Sequence, residues 1–226
     1  MWIAQGFIQM ENGSMEDLGN EYFKQLLARS FFHTLKQGNR THYVMHGLIH
    51  DLAQMVSHYN CARVEGDMSK SIPSTVRHLS VSRSSLPQLT KQCDLRRLHT
   101  LVVYKDSSVT LSTIPNDLFA ELKNLRALDL TGCIISELPE AIGKLIHLRY
   151  IALPSTVKML PESVSILLHL QTLDIPKKCQ LDKFPEGMHQ LVSLRHLGVD
   201  SKYISMIRGI GSLVKLQGSI EFHVKK

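Results

Sequence analysis

From Leu122 onward the chain repeats one phrase: LKNLRALDL at 122–130, LIHLRYIAL at 145–153, LLHLQTLDI at 167–175, LVSLRHLGV at 191–199 and LVKLQGSIEF at 213–222. The anchors Leu122, Leu145, Leu167, Leu191 and Leu213 lie 23, 22, 24 and 22 residues apart. No other feature restricts the fold as strongly. A unit this short cannot bury its apolar side alone, so successive units must stack and share one core. Stacking produces an extended curved surface, which is a surface for binding rather than for chemistry.

The frame is L-x-x-L-x-x-L-x-L followed by N, C or T, that of a leucine-rich repeat. The L-x-L pair predicts a short strand whose leucines point inward and whose neighbours point outward. The inward pairs are Leu128 and Leu130, Ile151 and Leu153, Leu173 and Ile175, and Leu197 and Val199. Two less regular units precede them, one with Leu95, Leu98, Leu101 and Val103, the other with Leu79 and Val81. The 27-residue step from Leu95 to Leu122 predicts a longer loop around Asp106 to Thr113. Leu138–Pro139, Leu160–Pro161 and Phe184–Pro185 predict loops or short 3₁₀ turns on the convex side, where proline breaks strand and helix. Cys133 occupies the N/C position as a buried turn residue, and Cys179 falls one residue late. In the last unit Ile220 and Phe222 slip out of frame, and no polar cap follows, which predicts a solenoid truncated at its C-terminus.

The outward strand positions should line the concave face. They are His78, Ser80, Ser82, Thr100, Val102, Tyr104, Ala127, Asp129, Thr131, Tyr150, Ala152, Pro154, Thr172, Asp174, Pro176, His196, Gly198 and Asp200. Within this set Tyr104, Asp129, Tyr150, Thr172, Asp174, His196 and Asp200 are the candidates for contacting a protein partner, with the tyrosines as anchors.

Residues 1–60 do not repeat. Ser14 is placed to cap a helix carrying Leu18, Tyr22, Phe23, Leu26 and Leu27 on one stripe. Gly38–Asn39 reads as a turn between short strands that include Phe31–Phe32 and Tyr43–Val44. A second amphipathic helix follows, with Leu48, Ile49, Leu52, Ala53 and Val56 on one side. The reading is an α/β chain: a small, mostly helical winged-helix-like domain over 1–70, then about six or seven leucine-rich repeats over 71–226.

Little in the chain suggests chemistry. His46 and His50 have ligand spacing on one helix, but no third ligand is placed, so no metal is expected. Cys61 and His58 are near only in sequence, and nothing supplies an oxyanion hole. The four cysteines lie far apart, which fits a reducing, cytoplasmic setting, with the nucleus also open to the chain. No apolar run approaches the roughly 20 residues that span a membrane. The net charge of +6 is scattered. A DNA-binding winged helix is the alternative reading, but the polar side of the 48–56 helix carries His50, Asp51 and Gln54 and no arginine or lysine, so nucleic acid is not expected.

WIAQGFIQ at 2–9, EDLGNEYFKQLLARSFF at 16–32 and VMHGLIHDLA at 44–53 carry a family resemblance. They resemble the end of the nucleotide-binding (NB-ARC) region of plant intracellular disease-resistance proteins of the coiled-coil NB-LRR type, and TVRHLSV at 75–81 with the repeats continues the likeness. The resemblance implies a defence-response receptor whose winged helix closes over bound ADP or ATP. It also implies a Met-His-Asp motif whose histidine approaches the nucleotide; by position this is Met45, His46 and Gly47, with glycine in place of the aspartate. The chain has no G-x-x-x-x-G-K-[ST] loop to cradle phosphates, so it is expected to hold no nucleotide by itself. The expected function is a non-enzymatic recognition and regulatory fragment binding a pathogen effector, a guarded host protein or the receptor's own core. A truncated remnant without function is the further alternative.

Overall fold

A computed structural model describes residues 1–9, 13–38, 40–66, 72–106 and 114–217. They form two compact units that divide between Cys61 and Ala62.

In the first unit, helix α1 (Trp2–Gln5) precedes α2 (Met15–Ala28), strands β1 (Phe32–Gln37) and β2 (Arg40–Met45), and helix α3 (Gly47–Ser57). The Ser14 hydroxyl accepts from Asp17 N at 3.2 Å, satisfying one free amide of the first turn of α2, and Glu16 and Asp17 lie near its positive end. At the far end Phe31 N donates to Leu26 O and Ser30 N to Leu27 O, both at 3.0 Å, with Ser30 at φ 61. This is a left-handed helix stop without the usual glycine. β1 and β2 are antiparallel, Phe32 opposite Met45 and Gln37 opposite Arg40, joined at Gly38 with φ 60. Phe23 of α2 gathers Trp2, Phe32 and Tyr43 at ring-centroid distances of 6.4, 5.8 and 4.8 Å. The stripe read for α3 is helical, yet it is not a core face: Leu48, Leu52, Met55 and Val56 are each more than half exposed.

In the second unit a seven-stranded sheet runs in sequence order: β3 (Cys61–Val64), β4 (His78–Ser82), β5 (Thr100–Tyr104), β6 (Ala127–Asp129), β7 (Tyr150–Ala152), β8 (Thr172–Asp174) and β9 (His196–Gly198). Each pair from β4–β5 to β8–β9 is parallel and in register, so Leu79, Leu101, Leu128, Ile151, Leu173 and Leu197 form one column. Short helices α4 (Leu89–Gln92) and α5 (Asn116–Glu121) cover the first repeats. Later repeats close with 3₁₀ turns at Glu140–Lys144, Glu162–Ile166 and Glu186–Gln190, each preceded by the proline of the L-P or F-P pair. Residues 62–64 belong to this unit rather than to the first: Ala62 and Val64 pack on the repeat core, which places the seam earlier than the sequence boundary at 70.

The core is one continuous column from Val76 to Leu213. All the inward strand residues are buried except Leu197 and Val199, which are partly covered at the end of the stack. Polar side chains at the turn after each strand tie one repeat to its neighbour. Ser84 N donates to Asp106 Oδ2 at 3.0 Å, Thr156 Oγ1 donates to Ile135 O at 2.8 Å, and Cys179 Sγ donates to Val157 O at 2.6 Å. On the convex side glutamates do the same. Glu140 Oε2 accepts from Ser163 N at 3.2 Å, and Glu162 Oε2 from Glu186 N at 3.0 Å, each at the start of the next 3₁₀ turn. The loop after Asp106 over 107–113 and the out-of-frame Ile220 and Phe222 lie outside the described residues.

Candidate recognition face and the histidine turn

The outward strand residues share one face, but its middle is lower than the sequence suggests. Ser82, Thr100, Ala127, Ala152 and Pro154 are buried, not exposed. Parallel strands stand about 4.8 Å apart, so small side chains are shaded by taller neighbours on both sides. Ser82 is further withdrawn by its own hydroxyl partners, Ser85 at 2.7 Å and Ser84 at 3.0 Å.

Of the seven partner candidates, the structure brings together Asp129, Tyr150 and Asp174 on adjacent strands. Tyr150 is half-buried, and burial together with the two carboxylates pushes its phenol up to about 12. Asp174 presents surface to solvent, yet its carboxyl lies low enough on the sheet that desolvation, aided by Asp129, raises its pKa. Gly198 makes room for it: a Cβ there would stand 2.6 Å from Asp174 Oδ1. Asp129 Oδ1 accepts from Thr131 N at 2.9 Å and from its hydroxyl at 2.6 Å, which fixes the carboxylate. Thr172 and His196 continue the row beside Tyr150.

Two candidates are differently employed. Tyr104 donates its hydroxyl to Val64 O at 2.8 Å and carries the Arg63 guanidinium 4.6 Å from its ring centre, so the edge strand β3 of the same sheet occupies this anchor. Asp200 caps the 3₁₀ turn Ser201–Met206 by accepting from Lys202 N at 3.2 Å. Sequence reasoning had no signal for either role, since the partners lie outside the repeat frame or beyond the strand.

At the other end of the same face His78 and His99 stand 6.3 Å apart, and His78 Nδ1 meets Thr100 Oγ1 at 2.8 Å. Burial lowers both imidazole pKa values, and the charges of Arg77 and, for His99, Arg126 lower them further. These cations were not singled out from the sequence. They occupy the position just before the strand, after Val76 in one unit and Leu125 in another, which the backbone stacks, with Arg126 N donating to His99 O at 2.8 Å and Arg149 N to Arg126 O at 2.8 Å.

Cys133 is buried, and burial pushes its thiol up to about 12, so at neutral pH it is a protonated packing residue. His46 sits exposed at the turn where β2 enters α3. Its amide donates to Phe31 O at 3.2 Å and its side chain makes no cap. Met45 ends β2 opposite Phe32, and Gly47 opens α3 in open space, with nothing within 4 Å of where a Cβ would stand. His50 and Asp51 are exposed and 3.6 Å apart. Among the described residues no group of three or more His, Cys, Asp or Glu could hold a metal ion, and no helix is long and apolar enough to cross a membrane.

The family model described as the disease resistance protein winged helix domain matches residues 1–53, and the leucine-rich repeat region model matches residues 107–225. The chain is 36% identical to the disease resistance protein At3g14460 of Arabidopsis thaliana over 69% of its own length, and 32% identical to the disease resistance RPP13-like protein 1 of the same plant over 69%. It is 31% identical to the disease resistance protein RGA2 of Solanum bulbocastanum over 65%. These matches span only 12%, 16% and 13% of the relatives. Among solved structures, the leucine-rich repeat protein LIC12759 of Leptospira interrogans superposes with a TM-score of 0.53 at 22% identity, covering 64% of this chain and 36% of that one, a likeness of fold. With its winged helix followed by its repeat region, the chain belongs to the plant NB-LRR disease-resistance proteins.

Proposed function

We propose that the chain serves a plant immune receptor as a non-enzymatic recognition and regulatory segment. In this reading the repeat sheet binds a protein, and the winged helix relays that contact to a nucleotide-dependent switch. The observation that carries the proposal is Tyr150, half-buried in the middle of a regular parallel sheet with Asp129 and Asp174 as its diagonal neighbours on the two flanking strands. An amphipathic ring with fixed polar groups on either side is the kind of anchor on which binding energy concentrates. The partner is a pathogen effector, a guarded host protein or the receptor's own nucleotide-binding core. Competition between core and partner for the sheet would shift the switch by the difference in their binding energies.

His46, exposed at the start of α3, contacts ADP only where a nucleotide-binding core supplies the phosphate cradle. The chain alone therefore holds no nucleotide, and it works in the cytoplasm with its cysteines unpaired. The test is co-purification of the chain with the nucleotide-binding core of RGA2. The wild type should retain the core, and a Tyr150→Ala/Asp174→Ala variant should release it. Equal retention by both would remove this face from the mechanism. Calorimetric titration of the chain with ADP should give no binding heat; tight binding would contradict the assignment.

A further inference from the structure

The residue after each anchor leucine is Ile146, Leu168, Val192 or Val214 in the last four repeats, and these side chains are 57%, 51%, 53% and 85% exposed. Leu145, Leu167, Leu191 and Leu213 beside them are buried. The same local bend recurs at this position: Leu168 N donates to Ile166 O at 2.9 Å, Val192 N to Gln190 O at 2.8 Å and Val214 N to Ser212 O at 2.9 Å. Repetition of the bend aims successive side chains in one direction and makes a row along the solenoid. Isolated exposed aliphatics need no explanation, but four in register form a contiguous apolar strip.

The border of the strip has one sign. Residues 143–149, 165–171, 189–195 and 211–217 contain no aspartate or glutamate. Their charged residues are Lys144, Arg149, Arg195 and Lys215, all basic. We propose that this strip is a docking site for an acidic amphipathic helix of a partner protein, lying along the solenoid. Such a helix presents apolar side chains about 5–6 Å apart along one face, a spacing close to the ~4.8 Å between strands of the sheet. Its flanking carboxylates would meet the cationic border.

Two other occupants fit less well. Those four segments carry no Trp, Tyr or Phe, the residues that anchor proteins at lipid surfaces. A second copy of the chain would bring like charges together across the strip.

The test uses the full chain and a fluorescent synthetic helix with leucine on one face and glutamate on the other. Anisotropy should show saturable binding that salt weakens. Leu168→Glu/Val192→Glu should weaken it about tenfold or more, and Tyr150→Ala should leave it unchanged, which separates this strip from the concave face. Both substituted sites are exposed, and unchanged circular dichroism would show that the double variant folds. Absence of saturable binding, equal affinity in the double variant, or preference for a helix with lysine in place of glutamate would overturn the proposal. Strip-dependent binding to phosphatidylserine vesicles, or a strip-dependent dimer in sedimentation, would overturn it in favour of those occupants.

Discussion

Gly132 has no room for a side chain. A Cβ there would lie 2.4 Å from Val103 O and 2.5 Å from the Tyr104 carbonyl carbon, both backbone atoms of the preceding repeat. Gly132→Ala should therefore destabilise the chain by about 3 kcal/mol in urea unfolding, since neither partner can swing aside. The cysteines differ as sharply. Cys61 is exposed and should react promptly with a thiol reagent at neutral pH, while Cys133, buried with its thiol near 12, should react only on unfolding. His78 and His99 give a pH dependence. Their folded pKa values lie below the ordinary 6.5, so the unfolded chain takes up protons first as pH falls. Stability should decline as pH drops below about 6.5, and His78→Gln/His99→Gln should flatten that slope. The sequence showed only His78, as an outward strand position; what disfavours charge on both rings is first their burial and then the nearby Arg77 and, for His99, Arg126.

The end of α2 shows what a local rule leaves unfinished at the scale of an element. Ser14 was legible as its cap because a hydroxyl before a helical stripe has one economical use. Its other end was not, because Ser30 takes a left-handed conformation that glycine normally supplies. Ser30→Gly should raise the thermal stability of the first unit by about 1 kcal/mol, whereas Ser14→Ala should lower it by a similar amount. The hairpin around Gly38 and the boundaries of α3 followed from pattern, since alternation and helical period are local. The exposure of Leu48, Leu52 and Val56 did not, because periodicity tells that a face is apolar and not whether anything covers it. The concave face divides in the same way. Parity of the strands identified Asp129, Tyr150 and Asp174, whereas the burial of Ala127 and Ala152 depends on the height of neighbours 22 or more residues away.

Across the whole molecule the two units differ in how they are held. The repeats share a core of aliphatic side chains that runs unbroken through every rung, while the first unit fully buries few apolar residues, among them Ala4 and Ile8. Amide exchange should accordingly be slow through β4 to β8 and fast in α3, where no extensive packing resists local opening. Comparable protection in α3 and β7 would contradict that division. Long-range order in the solenoid was readable because each rung repeats the same instruction, so the distant contact is also the nearest neighbour.

The convex glutamates give the repeat a phase. Glu140 serves the turn that begins at Glu162, and Glu162 serves the one at Glu186. Each rung thus completes its successor rather than itself. Duplication of a block from one proline to the next keeps every such pairing and needs no new residue at the junction. A rung that lost its glutamate would leave the amide of the next turn without that acceptor. The unit that can be copied or lost without breaking these pairings is therefore one whole rung, and its length is marked in the hydrogen bonding as well as in the leucines.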